Sequence, residues 1–155
     1  MTEPAVLRLY RKWGPWLFAR AICFKAPYFS TIRPRFHVLE PGRCVASLRH
    51  RRRVTNHLGT VHAIALCNLA ELAAGVMAEA TLPAGMRWIP KGMTVAYLKK
   101  AVGEMRAEAV PEAEARMADT GYDLPVRVEI TDRAGEAVMR ARIALWVTPR
   151  PLRRS

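Results

Sequence analysis

One carboxylate stands where its surroundings should exclude it. Between Val61 and Ala78 the only polar side chains are His62, Asn68 and Glu71, so this stretch reads as a helix that is apolar nearly all round and enclosed by protein. At about 100° per residue, Val61, Ala65, Leu69, Leu72 and Val76 fall on one stripe, whereas Glu71 shares the opposite side with Thr60, Ile64, Cys67, Asn68, Gly75 and Ala78. That second side is small and slightly polar, suited to the close approach of a ligand or of another helix. An ionised carboxylate held there is costly unless it is paired, and such groups are often general bases or nucleophiles; pairing with one of the many arginines is the alternative.

The elements that must hold these residues follow from the periodicities. Helical spacing from about Pro4 breaks at Gly14 and Pro15, and a second short helix runs through Phe24. Period-two alternation then marks two strands, with Phe36 and Val38 apolar in the first and Cys44, Ala46 and Leu48 in the second. The passage from Arg51 to Gly59 is basic and turn-like, and the long helix spans about His62 to Ala80, stopped by Pro83 and Gly85. Four strands follow, around Met93–Tyr97, Met105–Ala109, Val126–Thr131 and Met139–Val147, with an acidic loop over 111–124 and a turn at Asp132–Gly135. Short links favour antiparallel pairing, so the fold class is α+β: an antiparallel sheet wrapped around one long helix. The chain of 155 residues reads as a single domain, with a helical extension at 1–25, a core at 34–148 and a basic tail at 149–155.

Composition narrows the partners. Residues 1–53 carry 12 Lys and Arg against Glu3 and Glu40, whereas residues 54–155 carry 13 against 11 acids, so the net charge of +12 is concentrated at the N-terminal end. Such a field attracts nucleic acid, an acidic membrane surface, an acidic carrier protein or a phosphorylated small molecule. A nucleic-acid module is disfavoured because no recognition motif accompanies the charge. Val6, Leu9, Tyr10, Trp13 and Leu17 share a helical face opposite Arg8, Arg11 and Lys12; packing on the chain's own domain is preferred to contact with a membrane surface. Arg20 interrupts the only apolar run that could serve as an export signal, and Cys23, Cys44 and Cys67 form no disulfide framework, so a cytoplasmic location is expected. His57, His62 and Cys67 diverge on a helix and no Cys-x-x-Cys occurs, so no metal site is expected.

The segment Asn56-His57-Leu58-Gly59-Thr60-Val61-His62, with Glu71 nine residues on, resembles the signature of hotdog-fold acyl-CoA thioesterases of the phenylacetyl-CoA thioesterase type. Thr94 to Val110, with Gly103 between strands, and Val126 to Val147 resemble that family's later segments, so the likeness covers roughly 34–148 and is closest to an uncharacterised branch. The resemblance implies a hotdog fold and hydrolysis of acyl-CoA or acyl carrier protein thioesters without a cofactor. It implies that Glu71 activates water or attacks the thioester, that the Ala63 amide stabilises the oxyanion, and that Asn56 orients water or substrate. A structural role is preferred for His62, a carbonyl-orienting one being the alternative. Gly59 and Asn68 are candidates for substrate contact, as are Lys99 and Lys100 for the phosphates of coenzyme A, although a solvated strand end is the preferred account of the lysines.

Ala63 and Ile64 stand where that family has Gly-Gly, which keeps the amide but narrows the acyl pocket. Two rivals follow: a non-catalytic protein that binds acyl-CoA or acyl carrier protein, and a hotdog 3-hydroxyacyl thioester dehydratase, suggested by the 14-residue spacing of His57 and Glu71 but lacking the Pro-Gly pair ahead of the helix. Ala63 and Glu71, eight residues apart, are separated by roughly 12 Å along a helix at ~1.5 Å per residue, too far to act on one carbonyl. A homodimer with antiparallel central helices, and sites shared between chains, is therefore expected; it could pair further into a tetramer.

Overall fold

The computed structural model describes residues 3–151. Helix α1 (Ala5–Lys25) is kinked at Gly14-Pro15 and so consists of the two expected pieces. A 3-10 turn (Pro27–Thr31) leads to strands β1 (Arg35–Glu40) and β2 (Arg43–Leu48). A second 3-10 turn (Arg52–Val54) precedes helix α2 (Ala63–Thr81), and the chain ends in β3 (Met86–Tyr97), β4 (Met105–Pro111), β5 (Tyr122–Thr131) and β6 (Ala137–Pro149). All six strands join one sheet in the order β1-β2-β4-β5-β6-β3, with every pairing antiparallel. This is the hotdog layout, one sheet wrapped around α2.

Inward-facing residues of the central strands meet α2: Ala46 and Leu48 from β2, Met105 and Ala107 from β4, Val126 and Val128 from β5, and Ile143 and Leu145 from β6, all essentially buried. Small residues in the strands opposite Leu69, Leu72 and Met77 let the helix sit close to the sheet. Cys44 is part of this core, and burial pushes its thiol up to about 12. Helix α2 has the length and hydropathy of a membrane span, but 67% of that window is buried within this chain.

Five details depart from the sequence expectations. The first strand carries a bulge at His37, so Phe36 and Leu39 enter the core and Val38 is only half-buried. Strand β3 begins seven residues earlier than expected, because an edge strand tolerates Pro90 and the register shift beside Gly92. The acidic loop is shorter than 111–124, since Pro111 still pairs with Val126 and Tyr122 with Val147. Arg150, expected in a free tail, is pinned by its backbone N–H on the Gly85 carbonyl (2.6 Å) and its Nε on that of Met86 (3.0 Å); residues 152–155 lie outside the described residues. Finally, the face of α1 that packs inward is set by Leu7 and Phe18; Val6, Leu9 and Tyr10 join it, but Trp13, at the end of the first piece, and Leu17, beyond the kink, are exposed.

Phe18 anchors this extension. It is fully buried between the edge-on rings of Tyr10 (5.2 Å) and Phe36 (4.9 Å), tying α1 to β1. Phe18→Ala is expected to cost about 3–5 kcal/mol in denaturant unfolding. A loss below about 1 kcal/mol would show that α1 is not integral to the folded unit.

The bulge also places a titratable group. Ser47, buried on β2, donates its one hydroxyl proton to Glu104 (2.8 Å) and so accepts from Nε2 of His37 (2.8 Å). Burial, and then the charge of Arg106, holds the His37 ring below its ordinary 6.5, with Glu104 opposing and Arg35 reinforcing. The unfolded chain then binds more protons there, so this contribution is complete above about pH 6.5 and is lost as pH falls through the window below it. His37→Gln keeps a donor for Ser47 but does not titrate. Its melting temperature should fall less steeply than the wild type's between about pH 7.5 and pH 5; parallel curves would contradict the assignment.

Candidate functional site

The start of α2 is held by four sets of hydrogen bonds. His62 caps it, its Nδ1 accepting from the Ile64 amide (3.0 Å) and its carbonyl from Ala65 (2.9 Å). The His62 amide donates to Val54 (2.7 Å) and the Val61 amide to Ala101 (2.8 Å), fastening the approach to the helix on both sides. Asn56 closes the preceding loop: its Oδ1 accepts from the amides of Leu58 (3.0 Å) and Thr60 (3.1 Å), and its Nδ2 donates to Thr60 Oγ1 (2.9 Å). Gly59, at φ 72°, supplies the left-handed turn that this closure requires. Asn56 is thus a loop-closing residue whose side chain faces its own turn, in place of the expected ligand contact.

His50, which no local pattern marks, joins this loop to the rest of the chain. Its Nε2 donates to the Gly59 carbonyl (3.0 Å) and its Nδ1 accepts from the Gly103 amide (3.0 Å). One donor and one acceptor fix the neutral tautomer. A cavity of about 300 Å³ opens beside it, bounded by Arg49, Gly103, Glu104 and Arg133.

With His62 as cap, Ala63 is the first helical residue, and its N–H has no acceptor among the described residues. The neighbouring Ile64 side chain is 56% exposed, and Glu71, two turns on and in line with it, is also exposed. The Glu71 carboxylate makes no ion pair or hydrogen bond with another described residue. This corrects the expectation that α2 is enclosed on all sides: the sheet covers one side, and the side carrying Ile64 and Glu71 stays open within one chain.

Other candidates fall elsewhere. Asn68 is buried and donates to Thr31 Oγ1 (3.2 Å), tying α2 to the turn after α1. The hollow at Gly75 is already filled by Trp88 of β3, against which an added Cβ would stand 2.7 Å from the ring; Trp88 Nε1 also donates to Glu79 (3.0 Å). Cys67 is likewise engaged, with its Sγ 3.3 Å from the hydroxyl of Tyr97, and this bond more than burial raises the Tyr97 hydroxyl above its usual range. Close helix approach through Cys67, Asn68 and Gly75 is therefore blocked by the chain's own side chains. Lys99 is paired with Asp132 (2.7 Å) and Glu136, which raises the ammonium and lowers the Asp132 carboxyl. Those carboxylates neutralise it, which removes it as a phosphate ligand; Lys100 is exposed and makes no ion pair among the described residues. His57 is exposed at the loop tip. Among the described residues no group of three His, Cys, Asp or Glu side chains could hold a metal ion.

The open side of α2 is flanked by the edge strand β3, whose 12 residues pair on one side only, with β6. Ile89, Met93 and Tyr97 are exposed along it.

Comparison with known proteins places this geometry. A crystal structure from a structural-genomics effort is 44% identical, covering 94% of this chain and 97% of its own, with a TM-score of 0.81. A protein of unknown function from Pseudomonas aeruginosa, described as "Probable Thioesterase", is 26% identical over 88% of this chain and 97% of its own (TM-score 0.77). A thioesterase from Haemophilus influenzae is 14% identical over 90% and 94%, with a TM-score of 0.75, and shares the fold. No curated protein matches. The family described as "Domain of unknown function (DUF4442)" matches residues 14–147. The chain therefore belongs to the DUF4442 family, a branch of the hotdog thioesterase superfamily whose function is unknown.

Proposed function

We propose that this protein hydrolyses thioesters of coenzyme A or of acyl carrier protein, as a homodimer whose sites are shared between chains. The observation that carries this reading is the pair of unpartnered groups on the open side of α2: the Glu71 carboxylate and the Ala63 N–H at the helix start. In the proposed reaction, Glu71 takes a proton from water as the oxygen adds to the thioester carbonyl. The oxyanion accepts from the Ala63 N–H, aided by the positive end of the helix, and collapse expels the thiolate, which is then protonated. Water is the second substrate, so no cofactor is required. Asn56, Gly59 and His50 act as positioning residues that fix the amide's direction.

Both groups lie on one helix, about two turns apart, so a second chain must complete each site. The unpaired edge of β3, with Ile89, Met93 and Tyr97 exposed, is the surface on which two copies would continue one sheet and bring the open sides of their α2 helices together. Two such dimers could assemble into a tetramer. Lys100 stays available to phosphate at the end of β3. Three unpaired cysteines fit a reducing, cytoplasmic setting. A second reading, binding without hydrolysis, is favoured by Ile64, whose exposed branched side chain stands beside the oxyanion amide and narrows the space for an acyl group.

Thiol release from short-chain, long-chain and aryl acyl-CoA esters tests the hydrolytic reading. Glu71→Gln, on an exposed position, should fold normally and lower turnover at least about a hundredfold. Undiminished turnover would remove Glu71 from the chemistry. Ligand-dependent thermal stabilisation with no thiol release from any ester would establish the binding reading instead.

The shared site is tested by complementation. Ala63→Pro deletes the N–H at a position where proline is tolerated, and His62 already has the extended φ −64°, ψ 137° that a following proline demands. Ala63→Pro and Glu71→Gln should each be inactive alone. Co-refolded, they should regain activity, because each mixed dimer holds one site with both native groups. Mixed dimers that form and remain inactive would refute sharing.

A further inference from the structure

The molecule carries a second surface, remote in character from the open side of α2. The second piece of α1, the turn after it and the ends of β1 and β2 enclose an open groove of about 1200 Å³. Its apolar lining comes from Trp13, Trp16, Leu17 and Phe24, of which Trp16 is 70% and Phe24 90% exposed; Tyr28 projects nearby. Five arginines border it: Arg20, Arg33, Arg35, Arg49 and Arg51. None of the five has a carboxylate partner among the described residues. The only acids of the first 53 residues are already engaged, Glu3 with Arg11 and Glu40 with Arg43. Burial, and then the like charges of Arg33 and Arg53, pushes the Arg51 guanidinium below its usual range, while its Nη2 holds the Thr31 carbonyl (2.8 Å).

Exposed rings and unneutralised arginines are individually unfavourable to leave in water and in concentrated like charge. Together they complement one kind of partner, a surface that is apolar just beneath an anionic layer. Trp16 and Phe24 project from a helix, the element that lies in the plane of a bilayer interface, and Trp and Tyr side chains settle at headgroup depth. Arg20 stacks over the Trp16 ring at 5.3 Å, so its charge stays on the water side of an apolar plane. We infer that the groove face of α1, with its arginine border, docks the protein on bilayers containing anionic phospholipid. Trp13, Trp16, Leu17 and Phe24 enter the headgroup boundary, and Arg20, Arg33, Arg35 and Arg49 meet the lipid phosphates. This docking needs no catalytic group and leaves the edge of β3 free.

Vesicle co-sedimentation of the full-length protein tests it. Binding to phosphatidylcholine vesicles containing about one third phosphatidylglycerol should be at least about tenfold stronger than to phosphatidylcholine alone, and should weaken by about as much when salt is raised from about 0.1 M to about 0.5 M. The double variant Trp16→Ser/Phe24→Ser and the triple variant Arg20→Gln/Arg35→Gln/Arg49→Gln alter exposed side chains and should keep the wild-type melting temperature while each loses at least about tenfold in vesicle binding. No binding to anionic vesicles, equal binding to both kinds, or an unaffected aromatic variant would overturn the inference. So would a single-stranded oligonucleotide that displaces the vesicles and whose own binding falls with the aromatic variant, since that assigns the face to nucleic acid. A change in sedimentation coefficient on Trp16→Ser/Phe24→Ser in the absence of lipid would overturn it too, by assigning the face to contact between copies.

Discussion

Everything in this molecule is arranged around the burial of α2 against the inner face of the sheet. Leu69, Leu72 and Met77 are fully enclosed by residues from β2, β4, β5 and β6, and removing any one of these large side chains would open a cavity of the kind that costs about 2–5 kcal/mol. The same constraint fixes where chemistry is possible. A single sheet of six strands covers one side of a helix and its flanks. Trp88 and Tyr97 extend that cover along the margin, filling the hollow at Gly75 and engaging Cys67. What is left is a narrow open strip bearing Ile64 and Glu71, and an edge strand with no neighbour. The carboxylate is tolerated because the strip is open, which reverses the usual relation in which a buried acid demands a partner.

The approach to α2 gives the strip its direction. Residues from before the helix and from the segment between β3 and β4 converge on it: the Val54 carbonyl on His62, Ala101 on Val61, and His50 bridging Gly59 and Gly103. A helix start defined by so many bonds presents its first amide along a fixed line, which is the condition for electrostatic stabilisation without reorganisation. His62 is committed to the cap: its Nδ1 lone pair accepts from Ile64, which leaves its proton on Nε2.

The elements were legible because burial on one side leaves a period in the sequence. Alternation in β5 and β6 is clean, and their register pairs Glu129 with Arg140 on the outer face, where the two side chains bond at 2.8 Å. The His37 bulge was not legible, since an extra residue shifts the phase without changing composition. The first half of β3 was hidden for a related reason: Pro90 and Gly92 signal a break, and only the position at the sheet edge makes them harmless. Within the site, the spacing of Asn56, His62 and Glu71 could be read directly, but their surroundings could not. Composition says that α2 is apolar, not which side the sheet covers, and so Glu71 looked enclosed. His50 reaches Gly103 and Lys99 reaches Asp132 across 53 and 33 residues, for which no local pattern exists.

Charge divides the molecule in the same way as burial does. On the sheet, cations are matched in place: Arg43 with Glu108, Lys91 with Asp123, Arg140 with Glu129, Arg142 with Glu112, and Lys99 with the turn between β5 and β6. Exposed pairs of this kind contribute little stability, about 0–1 kcal/mol each, but they cancel the far field of the residues that make them. Most of the chain's surplus is thus left to the N-terminal helices and the arginines beside them, where Glu3 and Glu40 are the only acids in the first 53 residues. Within a Debye length of about 8 Å at physiological salt, an anion near these pairs meets cations already matched by carboxylates, whereas one near α1 meets concentrated positive charge. The proposed docking face and the proposed site are therefore separated by electrostatics as well as by position: an anionic partner would be drawn to the N-terminal face first, and a site on the open strip of α2 would select its ligand by shape and by the two groups left unpaired there.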